Sequence, residues 1–490
     1  MRVFIYFLCF ILCSFSLSGQ KEEVKINLVQ CIDLATNQSL QAFKAENDYM
    51  SSYLDFLNYK ASRLPSLSLQ LNPIQYNSQF TKRYDFNENI DIYRQQQLIN
   101  SSAGISISQN IELTGGSFTL ESDLNYMKNY GESQYTQYSS VPIRFGYSQS
   151  LFGYNSLKWS KKIEPVKYEK AKKSFLYSKE AIAVETIQYF FDLALAQSEY
   201  TMANENVASS DTLYTAGKEK YCFGHISQAD LLILELDLTN ANNALENSIT
   251  QLEKATSAFL SFFDLEESCT ISLDIPDIMP DITISTEEAL FQVKENNPDI
   301  LSYRQQELES KQSVEQMQKT RGVDAYFSAS VGFNQAGNRL IDSYYHPLRQ
   351  DMINLSVSVP IIDWGTRKRR IKLAKNNMDV TMRTIKLNEH DLEQEIIAMV
   401  SEFNRQKNIA KKSLEALNMA ISTYNINKQR FIIGTTDINT LTLSLSRKDN
   451  ATRNYLSALK QYWSLYYNIR KLTLYDFEKR EKLSIEKIRL

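Results

Sequence analysis

The chain has 490 residues, 23% of them charged, and a formal net charge of −3. That balance excludes the global basic field that draws nucleic acid, and there is no acidic tail. Aromatic residues are abundant, with 29 Tyr and 24 Phe, and the length leaves room for two or three ordinary domains, so the organisation must be read from pattern.

Arg2 precedes an apolar run from Val3 to Cys13, followed by small residues from Ser14 to Gln20. This predicts a secretory leader over 1–19, with an apolar run too short for a comfortable membrane span. Leu8 and Leu12 stand before Cys9 and Cys13, where a lipoprotein signal would need a small residue, so no lipid anchor is expected. Loss of the leader removes Arg2, taking the charge from −3 to −4, and leaves Cys31, Cys222 and Cys269. Three cysteines so widely spaced form neither a disulfide framework nor a zinc site and read as free thiols. No later stretch reaches about 18 consecutive apolar residues, so any membrane crossing by the mature chain must be made with strands.

From there the chain performs one plan twice. Asn37-Gln-Ser-Leu40 and Asn297-Pro-Asp-Ile300 each open a helical stretch that leads into a strand, SLSLQLN at 66–72 and YFSASVGFN at 326–334. A second strand follows, IRFGYSQSLF at 143–152 and INLSVSVPII at 353–362, then a bend, GYN at 153–155 and DWG at 363–365. Leu67, Leu69 and Leu71 alternate with Ser66, Ser68 and Gln70, and Leu355, Val357 and Val359 with Asn354, Ser356 and Ser358. Period-two alternation suits a strand with one face on lipid or core and the other on water.

Long helical runs come next in both copies. Ile187, Phe191 and Leu195, and Leu392, Ile396, Val400 and Phe403, follow three-to-four spacing. No proline interrupts 167–274 or the chain beyond 361. Helices of forty or more residues would reach roughly 60 Å and suit coiled-coil packing. Each run is broken by a polar glycine turn, KYCFGHISQADLL at 220–232 and RFIIGTTDINTLT at 430–442, with Gly224 and Gly434 in one register 210 residues apart. The copies differ between their strands. Copy one adds two strand-like runs, 104–111 and 117–126, joined through Thr114-Gly115-Gly116, a hairpin that fits either an extracellular position or a barrel wall.

A leader, a duplicated helix/strand/strand/helix order, Asn297-Pro298 after Ala289-Leu290, the strand entry Leu64-Pro65-Ser66-Leu67, the exit VPIIDWGTRKRRIKLAK at 359–375 and the paired glycine breaks together resemble the TolC family of outer-membrane efflux and secretion ducts. The resemblance implies an α+β membrane protein with an internal two-fold repeat, a homotrimer sharing one outer-membrane β-barrel continued by a long periplasmic α-helical barrel. It implies a passive exit duct for tripartite efflux or type I secretion, meeting a periplasmic adaptor protein and an inner-membrane transporter at its tips. Repeat one would then cover 20–265, an equatorial linker 266–285, repeat two 286–472, and a C-terminal equatorial tail 473–490. Gly224 and Gly434 would mark the adaptor-docking tips, where glycine relieves the backbone as a helix reverses.

At the aperture the sequence departs from the family pattern. Asp230 stands at the acidic position after the first tip, but the position of its basic partner holds Thr436, and the acidic-ring positions hold Thr440 and Leu443. Asp230, Asp437 and Thr440 are the candidate aperture residues, and a solvated helix start rich in Asp, Ser and Thr explains them equally well. Arg367, Lys368, Arg369 and Arg370, like Lys158, Lys161 and Lys162 in copy one, fall where strand turns into helix. With Trp159 and Trp364 they are candidates for the membrane interface, meeting outer-membrane lipid headgroups; a solvated helix face is the alternative.

Enzyme signals are poor. His225, His346 and His390 are far apart, and HExxH, GxSxG and a phosphate-cradling glycine loop are all missing, so no catalysis, cofactor or metal is expected. The competing readings are an exported periplasmic adaptor, which needs only one helical hairpin, and a coiled-coil scaffold, which leaves the strands unexplained.

Overall fold

A computed structural model of the chain describes residues 23–85, 89–130, 134–264, 270–275, 280–320, 322–433 and 435–485. The leader, Cys269 and Gly434 therefore lie outside the described residues.

In chain order the elements are β1 (Glu23–Asn27), α1 (Leu28–Gln38), α2 (Leu40–Ala61), β2 (Ser66–Asp85), β3 (Ile90–Asn110), β4 (Ser117–Asn129), β5 (Tyr135–Ser150), α3 (Ser156–Cys222) and α4 (Gln228–Phe263). They continue with β6 (Thr270–Asp274), α5 (Thr286–Asn296), α6 (Pro298–Lys319), β7 (Asp324–Gly337), β8 (Leu348–Ser358), α7 (Thr366–Ile432), α8 (Ile438–Thr473), β9 (Tyr475–Asp476) and β10 (Glu481–Lys482). Shifting α1 and α2 by 258 residues gives the bounds of α5 and α6; shifting α3 and α4 by 210 gives those of α7 and α8. Because the shift falls from 258 to 210 between them, the first pass carries 48 more residues between its helices, where the strands lie, than the second.

The chain divides into two compact units. One, formed by residues 50–171 and 301–389, holds a six-stranded antiparallel sheet in the order β2-β3-β4-β5-β7-β8. The hairpin left open by the sequence is part of this sheet: β3 pairs with β2 and β4, and β4 with β5. The strands run further than their alternation suggests. β2 continues to Asp85 and β3 begins at Ile90, through a stretch where Asn, Gln and Tyr replace the regular apolar residues. A bulge between Asn72 and Gln75, at Pro73, adds a residue to β2. It keeps Leu71 and Tyr76 on one face, opposite Ala103 and Ile99; without it every later side chain would change face. β8 ends at Ser358, short of the predicted 362, since Pro360 has no N–H to continue the ladder.

The two sheet faces are chemically distinct. Leu67, Ile107, Leu120, Phe145 and Val331 lie directly across from one another on successive strands, and all but Leu120 are large exposed apolar side chains. Their neighbours on the opposite face are Ser66, Ser108, Thr119, Gly146 and Ser330. On that polar face Arg144 Nη2 lies 2.5 Å from Glu121 Oε2 and 3.4 Å from Asp123 Oδ2. The helical part of the unit packs Trp159, Ile163 and Leu308 into a small core, with Phe56 stacked on Tyr168 at 4.4 Å between centroids.

The other unit is formed by the described residues within 23–49, 172–300 and 390–485. Here β1 pairs in parallel with β6, so part of the expected linker is tied to the strand that precedes α1. The core gathers Ile187, Phe190, Phe191, Phe259, Ile396 and Phe403 with Tyr462 and Tyr466. Three-to-four spacing puts these side chains on one stripe per helix, and each fully buried side chain contributes about 1.5–3 kcal/mol. The helix breaks are equivalent: Ser39 and Asn297 are both buried and extended, and their side chains cap the following helix through Ala42 N at 3.1 Å and Asp299 N at 2.7 Å. The equivalent of Asn297 is thus Ser39, two residues beyond the Asn37 suggested by sequence.

A buried ion network closes the unit. Arg470 Nε sits 3.0 Å from Glu180 Oε2, and Arg470 Nη1 2.9 Å from Asp476 Oδ2. Tyr466 OH donates to Asp476 Oδ1 at 2.9 Å, and burial pushes the Tyr466 phenol up.

Candidate functional site

The helical tips are built by capping. α3 ends with Gly224 at φ +73°, the left-handed region where a side chain is disfavoured. Gly224 N donates to Tyr221 O and His225 N to Lys220 O, both at 2.9 Å. Thr435 N donates to Arg430 O at the same 2.9 Å, the bond 210 residues later that is equivalent to His225 N to Lys220 O. The helices that follow start alike. Ser227 caps α4, its Oγ accepting from Asp230 N at 3.2 Å, and Asp437 caps α8, its Oδ1 accepting from Thr440 N at 2.7 Å.

All three aperture candidates therefore take part in caps. Asp230 accepts from Ser227 Oγ at 2.7 Å and from Ser227 N at 3.0 Å, and these bonds hold its carboxyl below the usual range. The Thr440 N–H does the same for Asp437. Asp230 and Asp437 also line one recess of about 260 Å³, together with Lys220, Ile233 and Phe431. Thr440 is exposed outside its lining. Lys220 Nζ lies 5.1 Å from the Phe431 ring centroid, joining the ends of α3 and α7 by a cation–π contact.

Sequence reasoning overlooked Gly217. A Cβ there would lie 2.3 Å from Leu234 Cδ1, so the buried Leu234 side chain of α4 fills the space a side chain on α3 at 217 would need. Its position one heptad before Gly224 was the available signal.

Where strands become helices, the two tryptophans part company. Trp159 is 6% exposed, and its Nε1 donates to Glu315 Oε2 at 3.0 Å; it packs inside its own unit. Trp364 is 84% exposed and has φ +53°, a costly backbone for a bulky residue. Asp363 holds this turn, its carboxylate accepting from Gly365 N at 2.9 Å and Arg367 N at 3.3 Å. Those two N–H groups hold its carboxyl below the usual range. Arg367 Nε is 3.9 Å from Asp363, and Arg369 Nη2 is 3.4 Å from Thr366 Oγ1. Around them Ile361 and Ile362 are exposed. On the copy-one side a recess of about 900 Å³ gathers Lys60, Arg63, Lys158 and Lys161 near Glu112. Lys161 is 3.2 Å from that carboxylate, and Arg63 also pairs with it.

Among the described residues no helix is long and apolar enough to cross a membrane, and no cluster of three or more His, Cys, Asp or Glu is placed to hold a metal. No family model matches the sequence, and neither does any curated protein. Solved structures do. The Campylobacter jejuni CmeC outer membrane channel superposes with a TM-score of 0.66 at 15% identity, over 96% of this chain and 92% of that one. The outer membrane protein VceC of Vibrio cholerae gives 0.62 at 12%, over 91% and 95%. The open-state MtrE outer membrane channel of Neisseria gonorrhoeae gives 0.59 at 12%, over 91% and 88%. The chain has the TolC-like fold of outer-membrane channels.

Proposed function

We propose that the protein is a passive exit duct of the bacterial outer membrane, extending into the periplasm and working in a tripartite efflux or type I secretion system. The carrying observation is the sheet: one face exposes Leu67, Leu69, Phe145, Val331 and Leu355, the other carries Ser, Thr, Gly and the Glu121–Arg144–Asp123 group. A water-soluble adaptor or scaffold gains nothing from an exposed apolar sheet face, whereas a barrel wall needs lipid-facing apolar residues alternating with lumen-facing polar ones. Coverage of channel structures over nearly the whole of both chains supports the same reading.

In this reading three copies share one barrel, and the barrel continues as a helical tunnel. Its capped turns at Gly224 and Gly434 dock a periplasmic adaptor and an inner-membrane transporter, and Asp230, Asp437 and Thr440 border the aperture. Trp364, Arg367 and Arg369, with the basic recess of copy one, meet lipid headgroup phosphates, while Trp159 supports them from within. The 266–285 and 473–490 segments form the belt around the tunnel. The chain carries no catalytic task.

Membrane fractionation followed by native mass spectrometry in mild detergent tests this. A particle of three chains from the outer-membrane fraction is expected. A soluble periplasmic monomer would sink the duct and leave the adaptor or scaffold.

A further inference from the structure

The sheet has two open edges, β2 and β8. A strand row that faces hydrocarbon cannot leave its N–H and C=O groups unpaired, so a spanning sheet must close. With six antiparallel strands the first and last run in opposite directions, and β2 of a second copy laid beside β8 continues the antiparallel order, a head-to-tail contact that closes as a ring.

The side chains of the two edges match. Counted from the ends that adjoin the helices, β2 presents Leu67, Leu69 and Leu71 on the apolar face and Ser66, Ser68 and Gln70 on the polar one. β8 presents Val357, Leu355 and Ile353, and Ser358, Ser356 and Asn354. Pairing Ser68 with Ser356 puts Leu67 opposite Val357 and Leu69 opposite Leu355, so both faces run on unbroken across the junction.

The stagger matches as well. The row of opposed residues that starts at Ser66, the first residue of β2, passes through Ser108, Thr119, Gly146 and Ser330 to Met352. On those strands the helix-side ends are Asn110, Ser117, Ser150, Asp324 and Ser358. The row therefore climbs, in steps of two residues or none, from the strand end on β2 to six residues inside it on β8. Six residues over five steps is about 1.2 residues per strand, which at about 3.3 Å rise and 4.8 Å spacing is a tilt of about 40°, within the range of a closing barrel.

We propose that β2 of each chain pairs with β8 of the next, so that three copies close one barrel of eighteen strands, with β3 and β4 in its wall. This rests on the trimeric reading above. The second pass of the chain supplies two strands, β7 and β8, and a symmetrical first pass would supply two more; three such chains would close twelve. The 48 extra residues of the first pass raise six strands per chain to the full count. Barrel width grows nearly linearly with strand number, so the pore mouth is about one and a half times as wide as twelve strands would make it.

Cysteine pairs test the junction. In a chain with Cys31, Cys222 and Cys269 replaced by alanine or serine, Ser68→Cys is combined in turn with Asn354→Cys, Ser356→Cys and Ser358→Cys, and oxidised membranes are run without reductant. Covalent dimers and trimers are expected, strongest for Ser68 with Ser356, and none from the single variants. Their failure at all three positions, in protein that native mass spectrometry shows to be trimeric, overturns the junction. Electron cryomicroscopy of the unaltered protein in lipid nanodiscs reads the count directly: eighteen strands supports it, and a trimer with fewer strands in its wall refutes it. A copy number other than three would refute the trimeric reading and the count of eighteen with it, and the cysteine pairs would then report separately whether β2 meets β8.

Discussion

Replacing Arg470 by alanine should destabilise the protein far more than its single positive charge suggests. The guanidinium side chain is 19% exposed, and its two partners, Glu180 and Asp476, are 10% and 4% exposed. Removing it leaves two carboxylates in a largely dry site without a counter-charge, a loss that costs about 3–5 kcal/mol. Burial already raises the Glu180 carboxyl despite Arg470. For Asp476 burial works in the same direction, but Arg470 and the bonds from Lys479 N and Tyr466 OH outweigh it and lower the carboxyl. Asp476 thus adds stability above the usual carboxylate range and loses it as pH falls through its native value, whereas Glu180, more readily protonated when folded, is relieved over the same descent. Guanidinium unfolding followed by helical circular dichroism, in one detergent and at pH 7, measures the change. Arg470→Lys should lose less than Arg470→Ala because the charge remains while the two-pronged geometry is lost. A triple Arg470→Met, Glu180→Gln, Asp476→Asn chain should recover much of the loss. An Arg470→Ala change below about 1 kcal/mol, the range of an exposed pair, would refute this account of the network.

Cys31 is fully buried and its thiol is raised to about 12 by burial, while Cys222 is exposed; in a Cys269→Ser chain, maleimide should label one native thiol, and Cys222→Ser should abolish labelling. Gly217→Val drives a side chain into Leu234 and should cost about 1–3 kcal/mol by overpacking, seen as earlier proteolysis near the first tip; an unchanged cleavage pattern would contradict the close approach. Trp364→Gly removes a left-handed backbone penalty of about 1–2 kcal/mol and should raise thermal stability in detergent while weakening retention on anionic vesicles; unchanged vesicle retention would count against a headgroup role for Trp364.

What could be read from the sequence was whatever repeats at a fixed interval. The bends before α3 and α7 and the turn glycine Gly224 were legible because a helix must begin or end at a residue with special chemistry. The apolar stripes Ile187–Phe191 and Leu392–Phe403 were legible because burial needs them on one face. The far ends of β2 and β3 were not: past the bulge at Asn72 and Gln75 the Gln- and Asn-rich strand has no alternation to see, and only its hydrogen-bonded partner reveals it. β1 escaped too, a five-residue strand whose partner β6 lies far along the chain. Trp159 and Trp364 look equivalent beside their basic clusters, and only packing separates the buried one from the exposed one. Asp230 and Asp437 invite a gating role by their position, yet their nearest partners are the helix starts they cap.

The central claim, that this chain makes a pore through a membrane, is tested most directly by single-channel current in planar lipid bilayers. The purified mature protein, checked to be trimeric, is compared with its Asp230→Ala, Asp437→Ala double variant and a detergent control. Discrete, repeatable steps are expected, either from both proteins or from the variant alone when the native aperture is shut. Silence from both trimers, with the control equally silent, would contradict the account.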